Sequence, residues 1–133
     1  LVYNENYVSL PMRHQIAAGA GETAVSYQWR WQNSWHSVQI KANGQPQPLQ
    51  PGSQAEFITE HYWGYARQRD GGTVEYQVEH PPWNVWQAQS YQFNCDVASL
   101  YGPTFAPALQ TTPASAFLAD GSAVTVRRGT RII

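Results

Sequence analysis

Apolar and polar residues alternate along several stretches of this chain, which is the pattern of β-strands that bury one face. The clearest case is 26–32, where Tyr27, Trp29 and Trp31 occupy one face and the intervening residues are polar. The next stretch, 35–42, returns after a turn at Asn33-Ser34, with alternate residues from His36 onward sharing a face. A strand is also predicted at 7–17, where an interruption at Pro11 suggests an edge or a bulge. Another runs from Tyr62 to a turn at Asp70-Gly71-Gly72. The remaining strands are predicted at 73–78, 85–94, 116–119 and 124–128.

Three details of this pattern concern how the strands end and pair. The strand at 73–78 should stop at Glu79-His80, because the two prolines that follow lack backbone donors. The last two short strands are predicted to form a hairpin around Asp120-Gly121. In the strand at 85–94, a period of two places one set on the same side: Val85, Gln87, Gln89, Tyr91 and Phe93.

Helix signals are few and short. Ser53 followed by Glu56 is a capping box, in which each side chain satisfies a free N–H, and it predicts a helix from about residue 54. Phe57, Ile58 and Tyr62 are expected on one side of it. A second helix should begin after Asp96 and run through Leu100 to Gly102-Pro103, and 104–112 should form an irregular or helical turn.

Strands therefore dominate, and the chain is predicted to be mainly β with one or two short helices. The natural packing is an antiparallel curved sheet or barrel. At 133 residues the chain is expected to form a single domain, 1–133.

Composition excludes some partners. Eight basic residues balance nine acidic ones without a basic run, so neither nucleic acid nor an anionic membrane is expected as a partner. No apolar run approaches membrane-spanning length. Cys95 is the single cysteine, which precludes an internal disulfide and fits a reducing, cytoplasmic location. The start lacks both a signal-peptide pattern and a methionine, so the sequence is expected to be a processed chain or a fragment.

A Glu–His pair lies at each end of the hairpin predicted around Asp70-Gly71-Gly72. Glu60 and His80, one from each pair, are the candidates for general acid–base catalysis. The alternative is structural: Glu60 caps or pairs, and residues 80–83 form a rigid corner whose tryptophan packs on the core. The candidate ligand-binding residues are Arg13, His14, Tyr62, Tyr65 and Trp83. A cavity walled by these residues would favour small carboxylates or polar aromatic compounds.

A metal site is not predicted. The four histidines are His14, His36, His61 and His80, and no two have the i, i+4 spacing of a zinc helix. Adjacent residues on a strand point to opposite faces, so one site would not use both members of a Glu–His pair. The sequence likewise indicates no cofactor, since it has no glycine-rich phosphate loop.

Four phrases carry a resemblance to a known family: LPMRH at 10–14, FITEHYWGY at 57–65, VEHPPW at 78–83 and DVASLYG at 96–102. They resemble the YqjF-like family of uncharacterised bacterial proteins, which is similar in fold to acetoacetate decarboxylase. The resemblance runs along nearly all of this chain but covers only the second half of a typical family member. It implies a cone-like barrel.

The decarboxylase acts through a lysine that forms a Schiff base. Met12 and Arg13 stand where the resemblance would require the lysine pair, and neither can form one. Lys41, the only lysine, lies near the end of the predicted strand 35–42, beside the turn at Asn43-Gly44. The resemblance therefore implies the fold without lysine-based decarboxylation.

Three classes of function stay open. The first is binding of a small organic molecule in an aromatic-lined barrel cavity, and the second is an enzyme that uses Glu60 and His80 on a small carboxylate or carbonyl substrate. The third is a structural or oligomer-forming domain. Unpaired strand edges in a half-length relative of a barrel also predict a homo-oligomer, most simply a dimer.

Overall fold

The computed structural model describes residues 8–133, so the beginning of the predicted strand 7–17 lies outside the described residues. The described chain is mainly β, with 46% strand against 12% helix and a strongly curled antiparallel sheet, which confirms the predicted fold class. The strands are β1 Met12–Gly19, β2 Glu22–Trp31, β3 Ser34–Asn43, β4 Trp63–Arg67, β5 Thr73–Glu79, β6 Val85–Asn94, β7 Phe117–Ala119, β8 Thr125–Val126 and β9 Thr130–Arg131. The helices are α1 Gln54–Thr59, α2 Val97–Tyr101 and α3 Ala106–Leu109.

Two compact units make up the described chain. The sheet unit contains Ser9–Gln47 and Val85–Ala119. The hairpin unit contains Val8, Pro48–Asn84 and Asp120–Ile133. The single domain expected from chain length stays a prediction.

The sheet unit holds an antiparallel sheet in the order β1-β2-β3-β6-β7. Ala20 and Gly21 connect β1 to β2. Both have positive φ, as in the tight two-residue turns that join the strands of a hairpin. Pro11 directly precedes β1, and its carbonyl accepts a hydrogen bond from the Arg30 N–H at 3.0 Å. Among residues 8–133, β1 is the last strand on its side of the sheet, which agrees with the edge, one of the two alternatives predicted from Pro11.

The register separates the side chains of this sheet into a polar face and an apolar face. Trp29 is opposite Met12 on one side and His36 on the other, and Tyr27 is opposite His14 and Val38. Because facing residues share a side of the sheet, the rows can be followed across it. We call the apolar face the side that carries Met12, His14, Ile16, Val25, Tyr27, Trp29, His36, Val38, Ile40, Tyr91 and Phe93.

The turn and the bulge of this sheet correct two sequence predictions. The β2–β3 turn is formed by Gln32 and Asn33, with φ of 52° at Gln32, one residue earlier than predicted. In β6, Lys41 pairs with Ser90 but Ala42 pairs with Ala88, so Gln89 is an extra residue at a bulge. Alternation does not continue across a bulge. The single face predicted for alternate residues of 85–94 is therefore wrong.

The hairpin unit begins with the predicted capping box. The Ser53 hydroxyl accepts a hydrogen bond from the Glu56 N–H at 3.1 Å, which confirms the helix start. The Glu56 carboxylate accepts from the Gly52 N–H at 2.6 Å instead of from Ser53. Phe57 and Ile58, predicted on one side of the helix, are 70% and 56% exposed, and the buried residues of α1 are Ala55 and Thr59.

The hairpin of β4 and β5 confirms the predicted reversal. Gly71 adopts φ of 86°, and the Asp70 carboxylate accepts a hydrogen bond from the Gly72 N–H at 3.0 Å. β5 ends at Glu79, as the two following prolines predict. On its other side β5 pairs with β8 and with β9.

The hairpin predicted from 116–119 and 124–128 is wrong. β7 pairs with β6 in the sheet unit, and β8 pairs with β5 in the hairpin unit. Strands of two and three residues would make few hydrogen bonds with each other. Each of them instead pairs with a longer strand that already belongs to a sheet. The Asp120 N–H, just after β7, donates to the Asn84 carbonyl at 2.9 Å.

Gly64 tests the packing of the hairpin unit. It faces Tyr76 across β4 and β5, and a Cβ added at residue 64 would overlap the Tyr76 ring, which is only 9% exposed. Gly64→Ala should therefore destabilise the fold by about 1–3 kcal/mol, the usual cost of overpacking. Urea denaturation followed by circular dichroism measures the change.

The matched control is Gly121→Ala, since a Cβ there would meet no atom within 4 Å. It should leave the urea midpoint unchanged. Equal midpoints for Gly64→Ala and the native chain would show that Tyr76 is not held against β4.

Candidate functional site

Glu60 and Tyr62 lie together in the segment between α1 and β4. The Glu60 N–H ends α1 by donating to the Glu56 carbonyl at 2.9 Å, and the Tyr62 carbonyl accepts from the Val78 N–H at 2.8 Å. Both backbones are thereby fixed, and the Tyr62 hydroxyl donates to Oε2 of Glu60. Oε1 of Glu60 is buried and has no hydrogen-bond partner in the described part of the chain.

His80 follows β5 and lies between two aromatic rings. Its ring centroid is 5.1 Å from that of Tyr62 and 3.9 Å from that of Trp83, on which it stacks with an interplanar angle of 17°. Nδ1 of His80 is 2.9 Å from the Pro81 carbonyl oxygen. A carbonyl only accepts, so Nδ1 carries a proton and, in the neutral ring, Nε2 is the acceptor.

The proline corner positions Trp83. Pro81 and Pro82 fix two successive φ angles, which limits the directions available to the next side chain. The indole N–H of Trp83 donates to the Ser122 hydroxyl at 2.9 Å. Sequence reasoning missed Ser122, because it lies 39 residues away in a segment without a motif.

We call Glu60, Tyr62, His80 and Trp83 the Glu60 cluster. All four are half-buried, so each is reachable from solvent on one side. The cluster combines a carboxylate oxygen without a donor, an imidazole and two aromatic rings. Such a set can accept hydrogen bonds from a ligand and hold an apolar ring beside them.

Tyr65 does not belong to this cluster. It lies on β4, is 61% exposed, and its hydroxyl is hydrogen-bonded to Glu75, its partner on β5. The other half of each Glu–His pair also has a separate contact. Glu79 forms an ion pair with Arg127 at 2.8 Å, and His61 meets the Phe57 ring edge-on at 4.6 Å.

Arg13 and His14 are part of the sheet unit. The Arg13 guanidinium lies over the Trp35 ring at 4.2 Å, and the His14 ring is 6.4 Å from that of Tyr27. Residues Arg13, His14, Gln15, Ser26 and Gln28 line an open depression of about 220 Å³. A site that joins Arg13 and His14 to the Glu60 cluster stays a prediction.

Two further features bear on the candidate chemistry. Lys41 lies on the polar face of the sheet, where its amine is 3.8 Å from the Glu22 carboxylate and its side chain is 58% exposed. Within residues 8–133, no three histidine, cysteine, aspartate or glutamate side chains are grouped to hold a metal ion. In the same residues, no helix has the length and apolar character needed to cross a membrane.

Comparison with known proteins yields one match. The model of the DUF2071 family, described as an uncharacterized conserved protein, matches residues 1–123. No curated protein and no solved structure matches the chain.

Two tyrosines, Tyr62 and Tyr65, are each hydrogen-bonded to a glutamate, and their titration tests the bond between Tyr62 and Glu60. The hydrogen bond to Glu60 raises the pKa of Tyr62 above its usual value of 10.0, and the bond to Glu75 does the same for Tyr65. Glu60→Gln should therefore lower the pKa of Tyr62 while leaving that of Tyr65 raised. Titration of the tyrosine Cζ signals by carbon NMR resolves the two curves.

The raised pKa of Tyr62 also determines how its hydrogen bond contributes to stability as the pH changes. The contribution of the Tyr62 bond is complete below the pKa of the unfolded tyrosine and is lost as pH rises through the higher folded-state pKa. Glu75→Gln is the matched control and should shift Tyr65 alone. A Tyr62 curve that Glu60→Gln leaves in place would contradict the bond.

Proposed function

We propose that this chain, which belongs to the DUF2071 family of uncharacterized conserved proteins, binds a small organic molecule at the Glu60 cluster. The observation that carries the proposal is the buried Oε1 of Glu60, which has no donor among the described residues although Oε2 accepts from Tyr62. A buried acceptor without a donor is unfavourable, and a ligand donor would relieve it. The proposal keeps the YqjF-like relationship, the acetoacetate decarboxylase-like barrel, a cytoplasmic location and the absence of Schiff-base chemistry.

The chemistry of the cluster favours one ligand class. A hydroxyl or amino group can donate to Oε1 of Glu60, while a carboxylate would meet the like charge of the same side chain. The stacked rings of His80 and Trp83 offer an aromatic wall next to Tyr62, the residue that donates to Glu60. We therefore favour polar aromatic compounds with a hydroxyl or amino donor; small carboxylates would depend on Arg13.

Binding can be measured by thermal denaturation and calorimetry with phenol, aniline, toluene and benzoate. Phenol and aniline should raise the melting temperature, since a ligand of the native state stabilises it, and toluene and benzoate should do so less. Glu60→Gln should lower the affinity for phenol and for aniline by ~10-fold or more, the loss expected when a charged acceptor is removed.

The matched control compares two tyrosines. Tyr62→Phe should weaken binding because it releases Glu60, whereas Tyr65→Phe removes an equivalent bond to Glu75 outside the cluster and should leave affinity unchanged. Equal effects of the two substitutions, or equal binding of toluene and phenol, would refute the proposed site.

A second candidate is proton transfer by Glu60 and His80. The observation that favours it is Tyr62, which donates to Glu60 and contacts the His80 ring, so one residue touches both candidate groups. The two functions differ in the fate of the ligand. Binding returns it unchanged, while catalysis converts it, and mass spectrometry of the bound compound distinguishes the two.

We also propose that the protein forms a homodimer. β1 is an edge strand in the described sheet, and Met12 and Ile16 on it are 64% and 61% exposed. An uncovered edge with apolar side chains favours pairing with a second copy. Sedimentation velocity at micromolar concentration should show a dimer that Ile16→Lys converts to a monomer.

The control for the dimer is Gln15→Lys, which adds the same charge one residue away on the polar face of β1. It should leave the dimer intact. A native chain that sediments as a monomer at every concentration would contradict self-association.

A further inference from the structure

The apolar face of the sheet unit carries a group of aromatic rings that remain accessible. The Trp29 ring is 6.1 Å from His36 and 6.5 Å from Phe93, measured between centroids. Phe93 is 43% exposed and Tyr27, on the neighbouring row, is 41% exposed. A small apolar molecule can therefore reach the rings around Trp29.

His36 presents a hydrogen-bond donor on this face. The side chain is only 5% exposed, and its Nδ1 accepts from the Asp96 N–H at 3.1 Å, just before α2. An accepting Nδ1 carries no proton, so the proton of the ring is on Nε2. Nε2 is buried and has no hydrogen-bond partner within residues 8–133.

Trp29 presents a second donor on the same face. The indole N–H only donates, and Nε1 of Trp29 is also buried without a partner in the described chain. Trp29 and His36 face each other across β2 and β3, with an interplanar angle of 23° between their rings. Two neighbouring side chains thus each hold a donor without an acceptor, which is rare inside proteins.

We infer that Trp29 and His36 form a two-donor site that binds the oxygen of a neutral carbonyl compound, with its apolar part on the surrounding aromatic rings. A carbonyl oxygen has two lone pairs and can accept from both N–H groups. The site lies in the sheet unit and does not depend on the Glu60 cluster of the hairpin unit. Its residues are different from those of the site proposed above.

The charges around the site favour a carbonyl over a carboxylate. The described strands place no lysine or arginine on the apolar face, since Arg13 lies on the opposite face over Trp35. Protonating His36 would add a positive charge but would cost Nδ1 its bond from Asp96. Burying a carboxylate without a cation is far more costly than burying a neutral oxygen.

Nitrogen–proton NMR of the native chain tests the site directly. The probes are acetophenone, ethylbenzene, which lacks the oxygen, and benzoate, which carries a charge. The chain has six tryptophans, and Trp29→Phe assigns the indole signal of Trp29. Acetophenone should move that signal downfield and bind ~10-fold more tightly than ethylbenzene or benzoate, the ratio that one neutral hydrogen bond supplies.

Two tryptophan variants separate the donor from the ring. Trp29→Phe should lower acetophenone affinity towards that of ethylbenzene, with the His36 donor still in place, and leave ethylbenzene affinity unchanged. The control is Trp31→Phe on the same face, because the Trp31 N–H already donates to the Ser99 hydroxyl at 3.0 Å. It should change neither affinity.

Several results would overturn the inference. Equal binding of acetophenone and ethylbenzene would show that the oxygen is not recognised. An unmoved Trp29 signal with all three probes would mean that the two donors serve ordered water. Tighter binding of benzoate than of acetophenone would show that the site binds an anion and not a neutral carbonyl compound. The affinities of the native chain for the three probes decide the first and the last of these points, even if Trp29→Phe does not fold.

Discussion

The antiparallel register of β2 and β3 is the constraint on which the sheet unit depends. Ten residue pairs fix it, and a two-residue turn at Gln32 and Asn33 closes it. A slip of one residue would move each side chain of β3 to the other face. In the observed register Trp29 meets His36 on the apolar face, while Arg13 is held over Trp35 on the polar face. The chemistry of each face therefore follows from one hairpin.

The hairpin unit is fixed by local backbone devices instead. The capping box begins α1, the Glu60 N–H ends it, and the proline corner begins where β5 stops. These devices act within a few residues of the groups they position. Side-chain bonds then complete the arrangement, from Tyr62 to Glu60 and from Trp83 to Ser122. Glu60 and His80 thus both contact Tyr62 without contributing to the ladder of β4 and β5.

Features with local causes are predicted from the sequence, and features that depend on distant strands are missed. The cap at Ser53, the reversal at Gly71 and the ends of β5 and β6 are predicted because their causes are local. Pairing of β7 and β8 is not, since it depends on which longer strands have a free side. The bulge at Gln89 is missed because alternation carries no mark of an inserted residue. Of the predicted site residues, Glu60, Tyr62, His80 and Trp83 come together, whereas Tyr65 bonds to Glu75.

The two candidate sites have opposite hydrogen-bonding character, and this limits what each can recognise. The Glu60 cluster holds an acceptor without a donor, whereas Trp29 and His36 hold donors without an acceptor. A buried group that lacks its complement is unfavourable for the fold, so stability alone does not account for either arrangement. In both cases aromatic rings pack against a residue of the site, and the lower local dielectric strengthens a hydrogen bond formed there. The recognition that we propose at either site therefore depends on one or two hydrogen bonds in an aromatic setting and not on Lys41, which lies exposed on the polar face.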